Sequence, residues 1–131
     1  MRIKLHSIMV DDQDKALAFY TKVLGFQVKH DFPAGPARWI TVVSPEGPDD
    51  LELVLEPNAN PAGRAFQEAM FAQEIPLAAF EVDDLAAEFA HLCDHKVVFT
   101  TKPTQMGPVS IAVFADTCGN LIQLYQPPQK S

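Results

Sequence analysis

The sequence predicts an α+β fold in which two βαβββ modules form a pseudo-symmetric curled sheet around a central cavity. In residues 11–26, apolar side chains recur at i, i+3, i+4, i+7 and i+8, which indicates an amphipathic helix, and strand-like segments lie on both sides of it. The tripeptide at residues 10–12 recurs as residues 82–84. Strand-like segments follow both helices in the same order, which two similar modules explain.

Module one is predicted to span residues 1–57. A first strand at residues 3–10 leads into the helix, which Asp11 or Asp12 caps and which Gly25 ends in the left-handed conformation. Turns rich in proline and glycine separate the strands that follow. These strands are predicted at residues 26–32, 38–43 and 51–56.

A linker helix is predicted in residues 58–75, ended by Pro76. Its apolar residues repeat the helical spacing and are Ala62, Ala65, Phe66, Ala69 and Met70. It connects module one to module two, and together they form a single domain over residues 1–131.

Module two is predicted to span residues 76–131 and to repeat the order of module one. Its elements are a strand at 77–82, a helix at 83–93, and strands at 97–101, 109–114 and 121–126. Because no glycine follows this helix, Asp94 or His95 is expected to adopt the left-handed conformation.

Composition narrows the classes of partner. The net charge of −7 disfavours nucleic acid and anionic membranes, because phosphate groups attract basic surfaces. No signal peptide opens the chain and no stretch is apolar enough to span a membrane. Cys93 and Cys118 lack disulfide or zinc spacing and are expected to be reduced thiols of a cytoplasmic protein. A small molecule or another protein is the expected partner.

Three segments carry a family resemblance. VDDQDKALAFYTKVLGF (10–26), FEVDDL (80–85) and FADTCGNLIQLYQP (114–127) resemble the vicinal oxygen chelate superfamily, which includes glyoxalase I, bleomycin-resistance proteins and extradiol dioxygenases. The resemblance implies two modules curled around a cavity, the glyoxalase/bleomycin resistance/dioxygenase fold, and a homodimer. In the enzymes it implies one divalent metal ion, held by His, Glu or Gln from the first and last strands of each module, with positions open for two substrate oxygens.

This sequence departs from the metal-binding pattern. Leu5 and Leu77 stand at the first-strand positions, and a leucine side chain cannot bind a metal ion. Gln123 stands at the C-terminal position, and the remaining module-one position falls near Glu52 or Leu53. We therefore expect no metal and no other cofactor, with a divalent metal ion as the alternative.

His6 lies one residue beyond a metal-ligand position. Alternation along the strand should turn Leu5, Ser7 and Met9 towards the cavity, and His6 towards the helical layer as a half-buried residue. A bulge in the strand would reverse this assignment.

Other side chains could line the cavity or act in catalysis. Glu52 and Glu81 alternate with apolar neighbours, so either could be a general base or simply a solvated acid. Trp39 could stack on a flat ligand or cover the core, and residues 105–108 form a turn that could serve as a mobile lip. The predicted cavity lining is Leu5, Ser7, Met9, Trp39, Leu77, Ala79, Gln123 and Tyr125.

Three functions follow, in order of preference. The first is a metal-independent protein that binds a small apolar or aromatic molecule. The second is a metal-dependent lyase, isomerase or dioxygenase that uses His6, Glu52 and Gln123, with Glu81 as a further candidate. The third is an accessory protein without a ligand. The residues leave open whether the protein is an enzyme.

Overall fold

The computed structural model describes residues 1–128, so residues 129–131 at the end of predicted module two lie outside the described residues. The chain divides into two compact units, the first formed by residues 1–67 with 117–119 and the second by 68–116 with the residues from 120 onward. The first unit contains β1 (Leu5–Val10), α1 (Gln13–Ala18), β2 (Gln27–Ala34), β3 (Ala37–Val43) and β4 (Glu52–Pro57). Helix α2 (Pro61–Ala72) begins in the first unit and continues into the second. The second unit contains β5 (Ala78–Glu81), α3 (Leu85–Asp94), β6 (Phe99–Met106), β7 (Val109–Ala115) and β8 (Leu121–Gln126).

The sheet of the first unit has the strand order β1-β4-β3-β2, with β1 parallel to β4. One face lies against α1, because Arg38 on β3 reaches Asp14 of that helix and Ile8 and Val10 on β1 are buried. We call the opposite face the distal face of the first sheet. Strand pairing assigns to it Leu5, Ser7, Met9, His30, Phe32, Trp39, Thr41, Glu52, Val54 and Glu56.

Helix α1 begins where the sequence predicts, since the side chain of Asp12 accepts a hydrogen bond from the N–H of Lys15. The helix changes at Phe19 into a π-helical segment, Phe19–Val23, in which the N–H of Leu24 donates to the carbonyl of Phe19 at 3.1 Å. Gly25 follows with φ +82°, as predicted. Buried side chains of this helical region, Ala16, Phe19 and Tyr20, form part of the core.

The second unit repeats this order with a sheet β5-β8-β7-β6, in which β5 is parallel to β8. Helix α3 lies on the face of Phe99, whose ring centroid is 4.7 Å from that of Phe89. The opposite face is the distal face of the second sheet. Strand pairing assigns to it Ala79, Glu81, Thr101, Thr104, Ile111, Val113, Leu121, Gln123 and Tyr125.

The end of α3 corrects one prediction. Asp94 is the last helical residue and His95 has φ −89°, so neither adopts the left-handed conformation. Lys96 does so instead, with φ +63°. The left-handed residue therefore lies one residue beyond the predicted positions, and the N–H of Val97 after it donates to the carbonyl of Leu92 at 3.0 Å.

Strand β6 is longer than predicted. It continues to Met106, and Gln105 and Met106 pair with Ser110 and Val109, so these two residues belong to the sheet and not to a lip. Register shifts within β6 accommodate Pro103, which cannot donate to the ladder. Only Gly107, at φ +60°, and the following proline form the predicted turn.

Helix α2 exists, but its buried side is polar. Gln67 is buried, whereas Phe66 in the predicted apolar stripe is 53% exposed. Gly63 lies against β1, since a Cβ there would come within 2.6 Å of the sulfur of Met9. Within the first unit, Gly63 and Gln67 therefore form the side of α2 that packs against β1.

Candidate functional site

The predicted cavity residues of module one share the distal face of the first sheet. Leu5 and Ser7 are exposed on the edge strand β1, and Met9 is half-buried beside Gly63 of α2. Trp39 is half-buried on β3 and pairs across the strands with Phe32, which is 49% exposed. This face thus combines an aliphatic edge with an aromatic pair.

Three polar side chains on this face form a cluster, which we call the polar cluster: His30, Thr41 and Glu52. The hydroxyl of Thr41 donates to Oε1 of Glu52 at 2.8 Å, and Nε2 of His30 lies 3.6 Å from the same oxygen. Thr41 is fully buried, and the side chain of Glu52 is only 15% exposed. Farther along β1, Ser7 donates to Glu56 at 2.9 Å.

Sequence reasoning placed Glu52 among the candidates but missed His30. Strict alternation would put Val28 and His30 on one face of β2. A register shift between these residues breaks the alternation, so Val28 pairs with Val42 on the α1 face while His30 pairs with Thr41 on the distal face. A bulge of this kind depends on the partner strand, and the sequence of β2 alone carries no sign of it.

The predicted cavity residues of module two also share one face. Ala79 pairs with Gln123, and Glu81 pairs with Tyr125. Leu77 precedes β5, and its N–H donates to the carbonyl of Leu121 at 2.9 Å. A shallow pocket of about 310 Å³ at this edge is lined by Pro76, Leu77, Ala78, Ala79 and Gln123. Glu81 is exposed, as the solvated interpretation predicts.

A metal ion does not fit the side chains at the positions that the resemblance indicates. Ser7 pairs with Val54 in the first sheet, and the equivalent Ala79 pairs with Gln123 in the second. The module-one counterpart of Gln123 in this register is therefore Val54, which directly follows Glu52 and Leu53. Leu5, Leu77 and Val54 offer only hydrocarbon, so one amide remains as a donor.

Two of the alternative metal ligands, His6 and Glu52, lie on opposite faces of the first sheet. His6 pairs with Leu53 on the α1 face, whereas Glu52 pairs with Leu5 on the distal face, so these two side chains cannot hold one ion. His6 faces the predicted side but is exposed instead of half-buried. Within residues 1–128, no group of three or more His, Cys, Asp or Glu side chains is placed to hold a metal ion.

Two hydrogen-bonded arrangements support the strand ends. Nε2 of Gln67 donates to the carbonyls of Met9 at 3.0 Å and Cys118 at 3.2 Å, and its Oε1 accepts from Asn58 at 2.8 Å. A Cβ on Gly119 would lie 2.8 Å from this Nε2, so the resemblance motif needs glycine there. We call Gln67 and its three partners the glutamine clasp.

The turn before β8 is fixed by a second arrangement. Asn120 donates from its backbone N–H and its amide to the two carboxylate oxygens of Asp116, at 3.0 and 2.8 Å, and both residues are buried. The FADTCGN part of the motif therefore has a structural role that the sequence did not reveal.

A separate groove lies on the helical side of the first unit. It has a volume of about 490 Å³ and is lined by Asp14, Leu17, Ala18, Thr21, Lys22, Phe26, Gln27 and Val28. It shares no residue with the predicted cavity lining. Charged side chains of both signs, Asp14 and Lys22, stand at this groove.

Comparisons with known proteins agree with the fold. Residues 2–124 match the model of the Glyoxalase/Bleomycin resistance protein/Dioxygenase superfamily. The chain is 52% identical over 126 residues to the uncharacterized protein YurT of Bacillus subtilis (strain 168), covering 96% of this chain and 99% of that protein.

Two solved structures are also similar. UcmS2 has a TM-score of 0.83 and 32% identity, covering 95% of this chain and 97% of its own. TnmS3, described as an antibiotic binding protein from Streptomyces sp. CB03234, has a TM-score of 0.77 and 30% identity, covering 97% and 96%. Among the helices of the described residues, none is long and apolar enough to cross a membrane.

Proposed function

Because the chain belongs to the Glyoxalase/Bleomycin resistance protein/Dioxygenase superfamily, we propose that it binds a small, flat, largely apolar molecule without a metal ion. The distal face of each sheet, taken by itself, is a candidate binding surface. One contributes Leu5, Ser7, Met9 and Trp39, and the other contributes Leu77, Ala79, Gln123 and Tyr125.

The observation that carries this proposal is the hydrocarbon at three metal-ligand positions of an otherwise intact fold. With Leu5, Leu77 and Val54 at three of these positions, Gln123 is the one remaining side chain that could donate to a metal ion. Its neutral amide alone is a weak metal ligand. The same substitutions enlarge the apolar area of the distal faces, which favours an apolar ligand.

A solved relative supports binding as the activity. TnmS3 is described as an antibiotic binding protein and is 30% identical to this chain over nearly its whole length. Trp39 and Phe32 give this chain an aromatic surface on which a planar ring can stack.

The test is titration with an uncharged flat probe, 2-(hydroxymethyl)naphthalene. Trp39 is the single tryptophan, so its fluorescence reports on the distal face of the first sheet, and isothermal titration calorimetry gives the affinity independently. We expect saturable binding in both measurements. We also expect Leu5→Asp to weaken it by about tenfold or more, because a carboxylate would be desolvated by the ligand.

Val28→Asp is the matched control. Val28 is 46% exposed and Leu5 is 51% exposed, but Val28 pairs with Val42 on the α1 face and lines the groove there. Unchanged affinity in this variant is expected. Weakening by Val28→Asp with no effect of Leu5→Asp would place the ligand in the groove and contradict the proposal.

We further propose that the protein acts as a cytoplasmic homodimer. Large apolar side chains that are exposed in one chain support an association surface, among them Val98 at 67% and Phe66 at 53%. Cys93 and Cys118 are not joined in a disulfide, which suits a reducing compartment. Light scattering after size-exclusion chromatography should give twice the mass of the chain, and a mass of one chain at micromolar concentration would exclude the dimer.

A further inference from the structure

The polar cluster contains a carboxylate that is held in place and largely removed from water. The side chain of Glu52 is 15% exposed, and the buried Thr41 donates to its Oε1 at 2.8 Å. Burial of a carboxylate is unfavourable unless hydrogen bonds or opposite charges compensate it. The hydroxyl of Thr41 provides a hydrogen bond here, and Nε2 of the partly exposed His30 lies 3.6 Å from the same oxygen.

These contacts leave acceptor capacity on Glu52. Thr41 and His30 both approach Oε1. An ionised carboxylate can accept about four hydrogen bonds across its two oxygens. Glu52 can therefore accept a further donor through Oε2 without releasing Thr41.

The residues around Glu52 indicate that this further donor would belong to a ligand bound on the distal face. Leu5 of β1 pairs with Glu52 of β4, and Trp39 lies two residues before Thr41 on the same face of β3. A ligand that stacks on Trp39 and Phe32 thus brings its substituents towards the polar cluster.

Charge on the same face favours cations over anions. Of the described residues that strand pairing assigns to the distal face of the first sheet, Glu52 and Glu56 are the acids and His30 is the basic side chain. A ligand carboxylate or phosphate would meet like charges in a partly desolvated site, whereas an ammonium group would meet opposite ones.

We infer that Glu52, positioned by Thr41 and His30, selects a flat ligand that carries a hydrogen-bond-donating, positively charged nitrogen. This inference rests on the proposed function, because it assumes that the ligand lies on the distal face. It adds the chemical class of the ligand and the residue that recognises it.

The residues of the polar cluster have no equivalent carboxylate in the second module. Strands β3 and β7 correspond residue by residue, which makes Val113 the counterpart of Thr41, and Val113 pairs with Thr101 where Thr41 pairs with His30. Counting back from Val54 and Gln123 makes Leu121 the counterpart of Glu52. The second sheet therefore offers no carboxylate at this position.

Three naphthalenes that differ only in the substituent test the inference: 2-(aminomethyl)naphthalene, 2-(hydroxymethyl)naphthalene and 2-naphthylacetate. Calorimetry and Trp39 fluorescence should show the amine binding at least about tenfold more tightly than the acetate, which is the scale of one charge-assisted hydrogen bond. In Glu52→Gln, which keeps the shape and the acceptor for Thr41, this preference should fall to about twofold or less.

Glu46→Gln is the matched control, because it removes the same charge from an exposed turn. It should keep the preference for the amine. Thr41→Val supplies a second variant that keeps the carboxylate but removes the hydrogen bond that positions it, and it should give an intermediate preference.

The outcomes distinguish a failure of the inference about Glu52 from a failure of the proposed binding function. If the alcohol binds but the amine is not preferred, or if Glu52→Gln keeps the preference, the role of Glu52 is wrong while the proposed binding function stands. If none of the three probes binds the wild-type protein, the proposed function fails and the inference about Glu52 fails with it.

Discussion

The two distal faces share a backbone plan but differ in chemistry. In the first sheet, His30, Thr41 and Glu52 form the polar cluster, with a carboxylate that is 15% exposed. Their counterparts in the second sheet are Thr101, Val113 and Leu121. Strand pairing is thus repeated, while at these three positions the charged groups belong to the first sheet.

This difference shows which features the repeated fold requires and which are free to vary. Both modules have an aspartate N-cap, at Asp12 and Asp84, because each helix start leaves N–H groups that need an acceptor. The side chains of the distal faces have no such constraint. A polar cluster can therefore form in one module while the other has uncharged side chains at the corresponding positions.

The glutamine clasp is the feature of the first unit whose loss should have the largest effect. Gln67→Leu leaves the carbonyls of Met9 and Cys118 without this donor and Asn58 without its acceptor. We expect the free energy of unfolding to fall by about 2–3 kcal/mol, the scale for loss of a buried hydrogen-bonding group. Urea denaturation followed by Trp39 fluorescence measures it. The exposed neighbour provides the control Glu68→Leu, expected within about 0.5 kcal/mol, and equal effects of the two substitutions would refute the clasp.

Three glycine substitutions should show the next largest effects, in a fixed order. Gly119→Ala combines φ +100° with a Cβ that lies 2.8 Å from Nε2 of Gln67, and should cost about 2 kcal/mol or more. Gly25→Ala has φ +82° but free space around the Cβ, and should cost about 1 kcal/mol. Gly47→Ala meets only Ser44 at an ordinary 3.7 Å and should be nearly neutral. Thermal denaturation ranks the three, and a Gly47 variant as unstable as Gly119→Ala would contradict the order.

A triple substitution tests the comparison itself. His30→Thr, Thr41→Val and Glu52→Leu together give the first sheet the side chains that the second has at these three positions. Because all members of the polar cluster are replaced at once, the free energy of unfolding should change by less than about 1 kcal/mol. The preference for the naphthylmethylamine should disappear. A protein that unfolds instead would mean that the polar cluster serves stability and not recognition.

The smallest expected effect concerns an ion pair on the α1 face of the first sheet. Nη2 of Arg38 lies 2.8 Å from Asp31, and this guanidinium lowers the pKa of the Asp31 carboxyl below its ordinary value. The counterpart on β7 is Ser110, which forms no such pair. A carboxyl with a lowered folded-state pKa stabilises the fold above its unfolded pKa of about 4, and this stabilisation is lost as the pH falls through the folded value.

Arg38→Met should therefore reduce stability slightly at pH 7 and flatten its dependence on pH below about 4. Denaturant titrations at pH 7, 4 and 3 measure both. Lys102→Met removes the same charge from an exposed position and should leave the acid dependence unchanged. An Arg38 variant with the wild-type acid dependence would show that Asp31 is not stabilised by this pair.

The sequence was sufficient for features that depend on local pattern. The repeat, the order of the strands and helices, an aspartate N-cap at Asp11 or Asp12 and the alternation of Leu5, Ser7 and Met9 follow from residue type and spacing. The structure agrees with them and places the N-cap at Asp12. The superfamily resemblance is visible in the sequence because the motifs at residues 10–26 and 114–127 are long.

Features that depend on residues far away along the chain were not predicted from the sequence. The distal position of His30 results from a bulge against β3, and the assignment of Val54 requires the register of β1 with β4. The buried Gln67 escaped prediction because its acceptors lie 58 and 51 residues away along the chain. The left-handed Lys96 reflects one more residue of helix than the composition indicates.

Metal content tests the central claim most directly. His91 and His95 stand one helical turn apart on α3 with ring centroids 4.7 Å apart, so they could chelate a metal ion at the surface. Elemental analysis should therefore use untagged protein and the variant His91→Ala/His95→Ala, both purified without chelator. We predict negligible nickel, zinc, iron and manganese in the double variant, with naphthalene binding unchanged. One equivalent of any of these metals per chain in both proteins, with binding lost on its removal, would contradict a metal-independent function.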